Sequence, residues 1–215
     1  MKNGFETKVG QITESLNPEV VGSKSSRRAE ASREAEEIRK KKFPQMKFTD
    51  VPAFYNKPDY IKNLADSIQK HLSGFEYDHL LFSYHGIPER HIRKTDVTKS
   101  HCKIDGSCCN TPSPAHDFCY RHQCYETTKQ VVKLLNLPED KYSLTFQSRL
   151  AGDKWLEPYT DVEIDKMPEK GIKNLAVVTP AFVSDCLETL EEIAMRAKED
   201  FEAKKKKENE NIAKA

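Results

Sequence analysis

The chain predicts an α/β fold, a parallel sheet with helices on both faces, and three observations carry that prediction. Short apolar or alternating runs recur at YDHLLFSY (77–84), KYSLTFQS (141–148) and KNLAVVTP (173–180), with the length and composition of strands. Segments of helical spacing accompany them: KNLADSIQKHL (62–72), CYETTKQVVKLLNL (124–137) and SDCLETLEEIAMRAKEDF (184–201). Helix and strand alternating along a chain give parallel strands joined by right-handed crossovers, and no internal repeat competes with that reading.

Taken in order, residues 1–31 are a Ser-, Lys-, Arg- and Glu-rich lead-in with no strand period, running into a charged helix. Residues 32–200 form the α/β domain. Residues 201–215 are a charge run expected to fray into solvent. The whole is polar, with 32% charged residues against 37% hydrophobic and a mean hydropathy of −0.76. Lys plus Arg number 35 and Asp plus Glu 34, a net charge of +1, so no global field points to nucleic acid or to an anionic surface. No apolar run approaches the roughly 20 residues that span a bilayer, and MKNGFETKVGQ has no apolar signal core, which gives a cytoplasmic expectation.

The stretch HCKIDGSCCNTPSPAHDFCYRHQC (101–124) holds five of the six cysteines and three of the seven histidines. In a reducing compartment such a cluster reads as a metal centre rather than a disulfide frame. Both tetrahedral Zn and a [2Fe–2S] cluster take four cysteines, and the spacing matches neither a two-CxxC zinc ribbon nor the plant ferredoxin run, so it does not choose between them.

Two further loops begin at the C-terminal ends of predicted strands, where ligands collect in open α/β sheets. One carries His85, followed by Gly86, which lets backbone approach a ligand, and by Pro88, which stiffens the exit. A neutral imidazole there binds a metal or accepts a proton near neutral pH; the plainer reading is a histidine bonded to its own turn. The other leads into a helix with Asp185, Glu188 and Glu192 at i, i+3 and i+7, one face of a regular helix. Such a row suits a hard or borderline cation, while the plainer reading is a first turn favoured by the helix dipole, with Ser184 or Asp185 as N-cap. Trp155, the single tryptophan, either stacks on a planar ligand or plugs the core.

FSYHGIPERH (82–91), TFQSRLAGDKWLEPYTD (145–161) and TPAFVSDCLETLEEI (179–193) together resemble ferrochelatase, which inserts Fe²⁺ into protoporphyrin IX as the last step of haem synthesis. The resemblance runs from about residue 32 to 200. It implies a Rossmann-like half of a truncated two-domain architecture, a lyase with ferrous iron and protoporphyrin IX as substrates, and no nucleic-acid partner; the alternatives are a related tetrapyrrole chelatase using another metal and a non-catalytic iron–sulfur or zinc-binding remnant. It further implies that His85 is the metal ligand or acceptor of pyrrole protons and that Glu188 is the facing carboxylate. Glu192 is then one step along an acidic track, on a helix with a π-type widening. Trp155 and the Gln147–Ser148–Arg149 stretch become the pocket wall beside the macrocycle. In some bacterial relatives an internal segment carries a [2Fe–2S] cluster, which implies Cys102, Cys109, Cys119 and Cys124 as ligands, with Cys108 the exchange and Zn the other metal. A product as apolar as haem suits peripheral membrane contact, for which the sequence offers no amphipathic anchor. The chain departs from the family where most of the first domain is missing, at the Lys-rich end, at Cys186 where many relatives have His, and at Arg196 within the acidic track. Neither the number of subunits nor the choice between protoporphyrin and coproporphyrin is written in the sequence.

Overall fold

A computed structural model describes residues 5–8, 26–47, 53–182 and 184–213. Four parallel strands form one sheet: β1 (Phe5–Lys8), β2 (His79–His85), β3 (Tyr142–Gln147) and β4 (Leu175–Val178), in the spatial order β1, β4, β2, β3. The registers Leu80↔Tyr142 and Leu80↔Ala176 align the C-terminal ends of β2, β3 and β4 on one edge.

Helices cover both faces, as the alternation along β2 requires. Leu80, Phe82 and Tyr84 pack with Ile61, Leu64 and Ile68 of α2 (Pro58–Leu72) and Val131 of α4 (Tyr120–Leu134). Leu81 points to the other face, with Ile164 of α5 (Thr160–Lys166), Ile193, Ala197 and Phe201. A short α3 (Glu89–Thr95) follows β2. The last helix has three parts: α6 (Leu187–Thr189), a π-helical stretch Leu190–Ala197, and α7 (Lys198–Ile212). Among the described residues no helix is long and apolar enough to cross a membrane.

Several boundaries differ from expectation for identifiable reasons. The strand Phe5–Lys8 pairs Phe5↔Leu175 along β4, a partner no local period reveals. The expected fraying tail is helical to Ile212, because its Lys, Glu and Ala residues are good helix formers and the helix is anchored by the fully buried Phe201 and a Lys204–Asp165 ion pair of 3.3 Å. The helix expected from Cys124 starts at Tyr120, with Cys119 as its extended N-cap residue. Cys124 is thereby a helical residue turned to the core, not a loop residue.

Candidate active site and cysteine loop

His85 is the last residue of β2, and its position is fixed from three sides. The Tyr120 hydroxyl donates to its carbonyl at 2.9 Å, Phe182 lies 6.0 Å from its ring, and its Nδ1 is 2.6 Å from the Gly86 carbonyl. A carbonyl only accepts, so Nδ1 carries the proton and Nε2 presents its lone pair. The plainer reading of a histidine bonded to its own turn therefore holds for one nitrogen, and that bond is what prepares the other. Gly86 is required by contact: a Cβ there would stand 2.8 Å from the Gln147 carbonyl and 3.3 Å from Cε3 of Trp155.

Glu188 and Glu192 come to the same edge, though not by α-helical spacing. Asp185 lies outside the helix and is exposed. The N-cap is Cys186 rather than Ser184 or Asp185: it is extended, and its N–H donates to the Thr189 hydroxyl at 3.0 Å. The π stretch then replaces i→i+4 bonding with i→i+5, so the i, i+3, i+7 row is not the face that forms. Gln147 at the end of β3 uses this departure, donating Nε2 to the Glu188 carbonyl at 2.7 Å while its Oε1 accepts from Ser83 at 2.7 Å. Ser148 clamps Glu192, N–H to Oε1 at 2.7 Å and hydroxyl to Oε2 at 2.5 Å. The clamp holds Ser148 at φ +64°, a left-handed conformation a serine seldom adopts. The Glu188 carboxyl is held below the usual carboxylate range by its own backbone N–H first, then by the Cys186 thiol, with the charge of His85 also bearing on it.

Two cavities meet at His85. One of about 400 Å³ is lined by Trp155, Leu150, Arg90 and Phe118; the other, of about 330 Å³, by Tyr55, Tyr60, Tyr84, Gln123 and Cys124. His85, Ile87 and Tyr120 border both. Trp155 is buried and lines the first cavity, which unites the two readings of it, and its indole N–H meets no partner among the described residues. Arg149 lies over the Tyr159 ring at 4.1 Å and pairs with Asp161 at 2.8 Å, at the rim rather than in the cavity.

The cysteine loop is organised by Asp96 and Arg121. Asp96 accepts from the N–H groups of Thr98 (2.9 Å), His101 (2.9 Å) and Cys102 (2.8 Å). Burial pushes its carboxyl up, but these bonds together bring it down to about 2. The loop cysteines are all free thiols, and those of Cys109 and Cys102 each bear on that of Cys119. Cys108 accepts from the Lys103 N–H at 3.2 Å and from Arg121 at 3.5 Å. Burial, then the nearby Asp96 and Cys108, push the Cys102 thiol up to about 11. Cys124 packs with Tyr120 in the tyrosine-lined core, in the same cluster as Cys119 and with Cys102 against it, and burial pushes its thiol up. Cys102, Cys109 and Cys119 thus lie together, with Cys108 reaching them from the Arg121 side and Cys124 from the core. The three loop histidines pack on one another: the His116 and His122 rings stack at 3.6 Å, and His101 Nε2 is 3.3 Å from His116 Nε2. Among the described residues no group of three or more His, Cys, Asp or Glu side chains is arranged to hold a metal ion. Five cysteines in one loop beside a buried guanidinium are nonetheless the donor type that a thiolate-bound [2Fe–2S] or Zn²⁺ centre takes.

Asp96, Arg121, Tyr120 and the buried Ser83 were not found from sequence. Only Asp96 left a signal, the Asp-Val-Thr order of a side-chain-capped turn.

The family model described as Ferrochelatase matches residues 19–214. The chain is similar to proteins named ferrochelatase from Opitutus terrae (48% identical over 158 residues, 74% of this chain and 46% of that one), Pseudomonas syringae pv. tomato (44% over 168 residues, 78% and 49%) and Pseudomonas fluorescens strain Pf0-1 (43% over 169 residues, 78% and 49%). It spans about half the length of these relatives.

Proposed function

The chain belongs to the ferrochelatase family, and from that premise we propose that it carries the His85–Glu188 half of a site that inserts Fe²⁺ into protoporphyrin IX to give protohaem. One observation carries the reading: His85, with its Nε2 lone pair presented, and Glu188, held anionic, come from different elements to one edge of the sheet.

Insertion requires two pyrrole N–H protons to leave as the metal enters. His85 Nε2 accepts the two protons in turn, passing the first to solvent before taking the second, and each imidazolium so formed is stabilised by the Glu188 carboxylate it faces. Glu188 and Glu192 supply oxygen donors for a ferrous ion on its way to the ring, Glu192 being pinned by Ser148 so that it does not swing away. The wall of Trp155 and Leu150 holds a flat apolar macrocycle, and ring distortion exposes a nitrogen lone pair to the metal.

The loop is read as the seat of a [2Fe–2S] cluster, with Zn²⁺ the other candidate, on Cys102, Cys109, Cys119 and Cys124, with Cys108 the alternative fourth thiolate. Bound there, such a centre supplies a rigid cross-link. No insertion step needs it, because the reaction moves protons and a cation, not electrons.

The test is anaerobic Fe²⁺ insertion into protoporphyrin followed by the Soret change, for this chain, His85→Ala and Glu188→Ala. Turnover by the parent with collapse in both variants is expected; a parent that neither binds nor metallates the porphyrin overturns the reading.

A further inference from the structure

We propose that Arg121 is the buried counter-charge of an anionic tetrathiolate centre in the 101–124 loop, a positioning residue that sets how readily the centre accepts an electron. The inference rests on the thiolate-centre reading above.

Arg121 is only 2% exposed, and a buried charge is costly unless something offsets it. Its bonds do not do so. Nη1 donates to the Ile104 carbonyl at 2.6 Å, Nη2 to the Lys103 carbonyl, and Nε meets no partner among the described residues. Carbonyls orient a guanidinium without neutralising it. Asp117, the nearest acidic residue in sequence, is exposed, and Asp105, also exposed, accepts instead from the Ser107 N–H at 2.9 Å, feeling Arg121 only as a minor influence. What surrounds the cation is sulfur: Cys108 Sγ lies 3.5 Å from Nη2, and Cys108, Cys109 and Cys119 are the groups whose charges bear on it. The loop is also shaped to the guanidinium, since Gly106 turns at φ +82° with the position of a Cβ 3.8 Å from Cζ.

The contacts of the cation thus include no carboxylate to offset it, and thiolates held on a metal centre beside it supply that negative charge. A [2Fe–2S] cluster with four thiolates has a net charge of about −2 when oxidised and about −3 when reduced. A buried positive charge beside it favours the reduced, more anionic state. Zinc with four thiolates is likewise a dianion, so the same residue favours its binding.

The experiment uses the full chain, reconstituted anaerobically with ferrous iron and sulfide, beside Arg121→Met and Arg121→Lys. The midpoint potential is read by dithionite titration with electron paramagnetic resonance of the reduced state, and zinc affinity by competition with a chromophoric chelator. Arg121→Met is expected to shift the potential negative and to weaken zinc binding by at least about tenfold, with Arg121→Lys restoring most of both. Equal potential in wild type and Arg121→Met overturns the inference while leaving the thiolate centre standing. Failure of both variants to load overturns it too, since shape rather than charge is then what the loop needs. A wild-type chain that takes up neither iron–sulfur nor zinc removes the thiolate-centre reading, and this inference with it.

Discussion

The edge of the sheet and the cysteine loop hold their chemistry by opposite means. At the edge, His85 and Gln147 end strands whose registers align them, and Glu188 and Glu192, which Gln147 bonds, arrive on a helix docked to those strand ends. In the loop no ladder exists. A carboxylate collecting N–H groups and a guanidinium collecting carbonyls do the work that a sheet does elsewhere. The contrast teaches that side chains on the sheet can be exchanged with the fold intact, whereas in the loop the side chains are the fold.

The largest effect that separates the two is expected at the edge. His85→Ala and Glu188→Ala should each lower insertion by roughly 10²- to 10⁴-fold in steady-state assays, while the melting temperature moves little, because neither side chain belongs to either core cluster. A large drop in melting temperature would break the comparison. Gly86→Ala tests the same edge by crowding: with 2.8 Å to the Gln147 carbonyl, the backbone must give, at about 1–3 kcal/mol in denaturant unfolding.

In the loop, Asp96→Ala leaves the N–H groups of Thr98, His101 and Cys102 without their acceptor and should cost about 1–3 kcal/mol. Hydrogen exchange over residues 96–110 should rise with β2 and β3 unchanged; a uniform rise would show the loop and sheet to be one cooperative unit. The same carboxylate fixes a pH dependence. Its folded value of about 2 lies below the unfolded reference of about 3.9, so its contribution is complete above about pH 4 and is lost as pH falls towards 2. Thermal melts of the parent should decline over that window, and in Asp96→Asn the decline should be shallower. The smallest effect belongs to the surface: Lys62→Ala removes an exposed i, i+4 pair with Asp66 and should change stability by no more than about 0.5 kcal/mol.

The same contrast explains what could be read from sequence. The strands of the central sheet and the helices on its faces were legible because apolar periodicity records burial, and His85 stood out by its place after a strand. The pairing of Phe5–Lys8 was not, since its partner is 170 residues away. Cys124 was misplaced because the helix start is set by Cys119 and Tyr120, which carry no capping signature. Arg121 was invisible: one more basic residue in a chain of 35 says nothing until its burial is known.

The widened stretch Leu190–Ala197 has a consequence for how this helix tolerates change. A regular helix is a gear: a shift at one end turns every residue beyond it by about 100°. A π segment accommodates extra chain within its turns, so it works as a slip joint. Glu188 before it and Glu192 in its first turn are phased to Gln147 and Ser148; beyond it, Phe201 is phased to the core. Each side can be tuned by its own neighbours, and the chemistry at one end need not wait on the packing at the other.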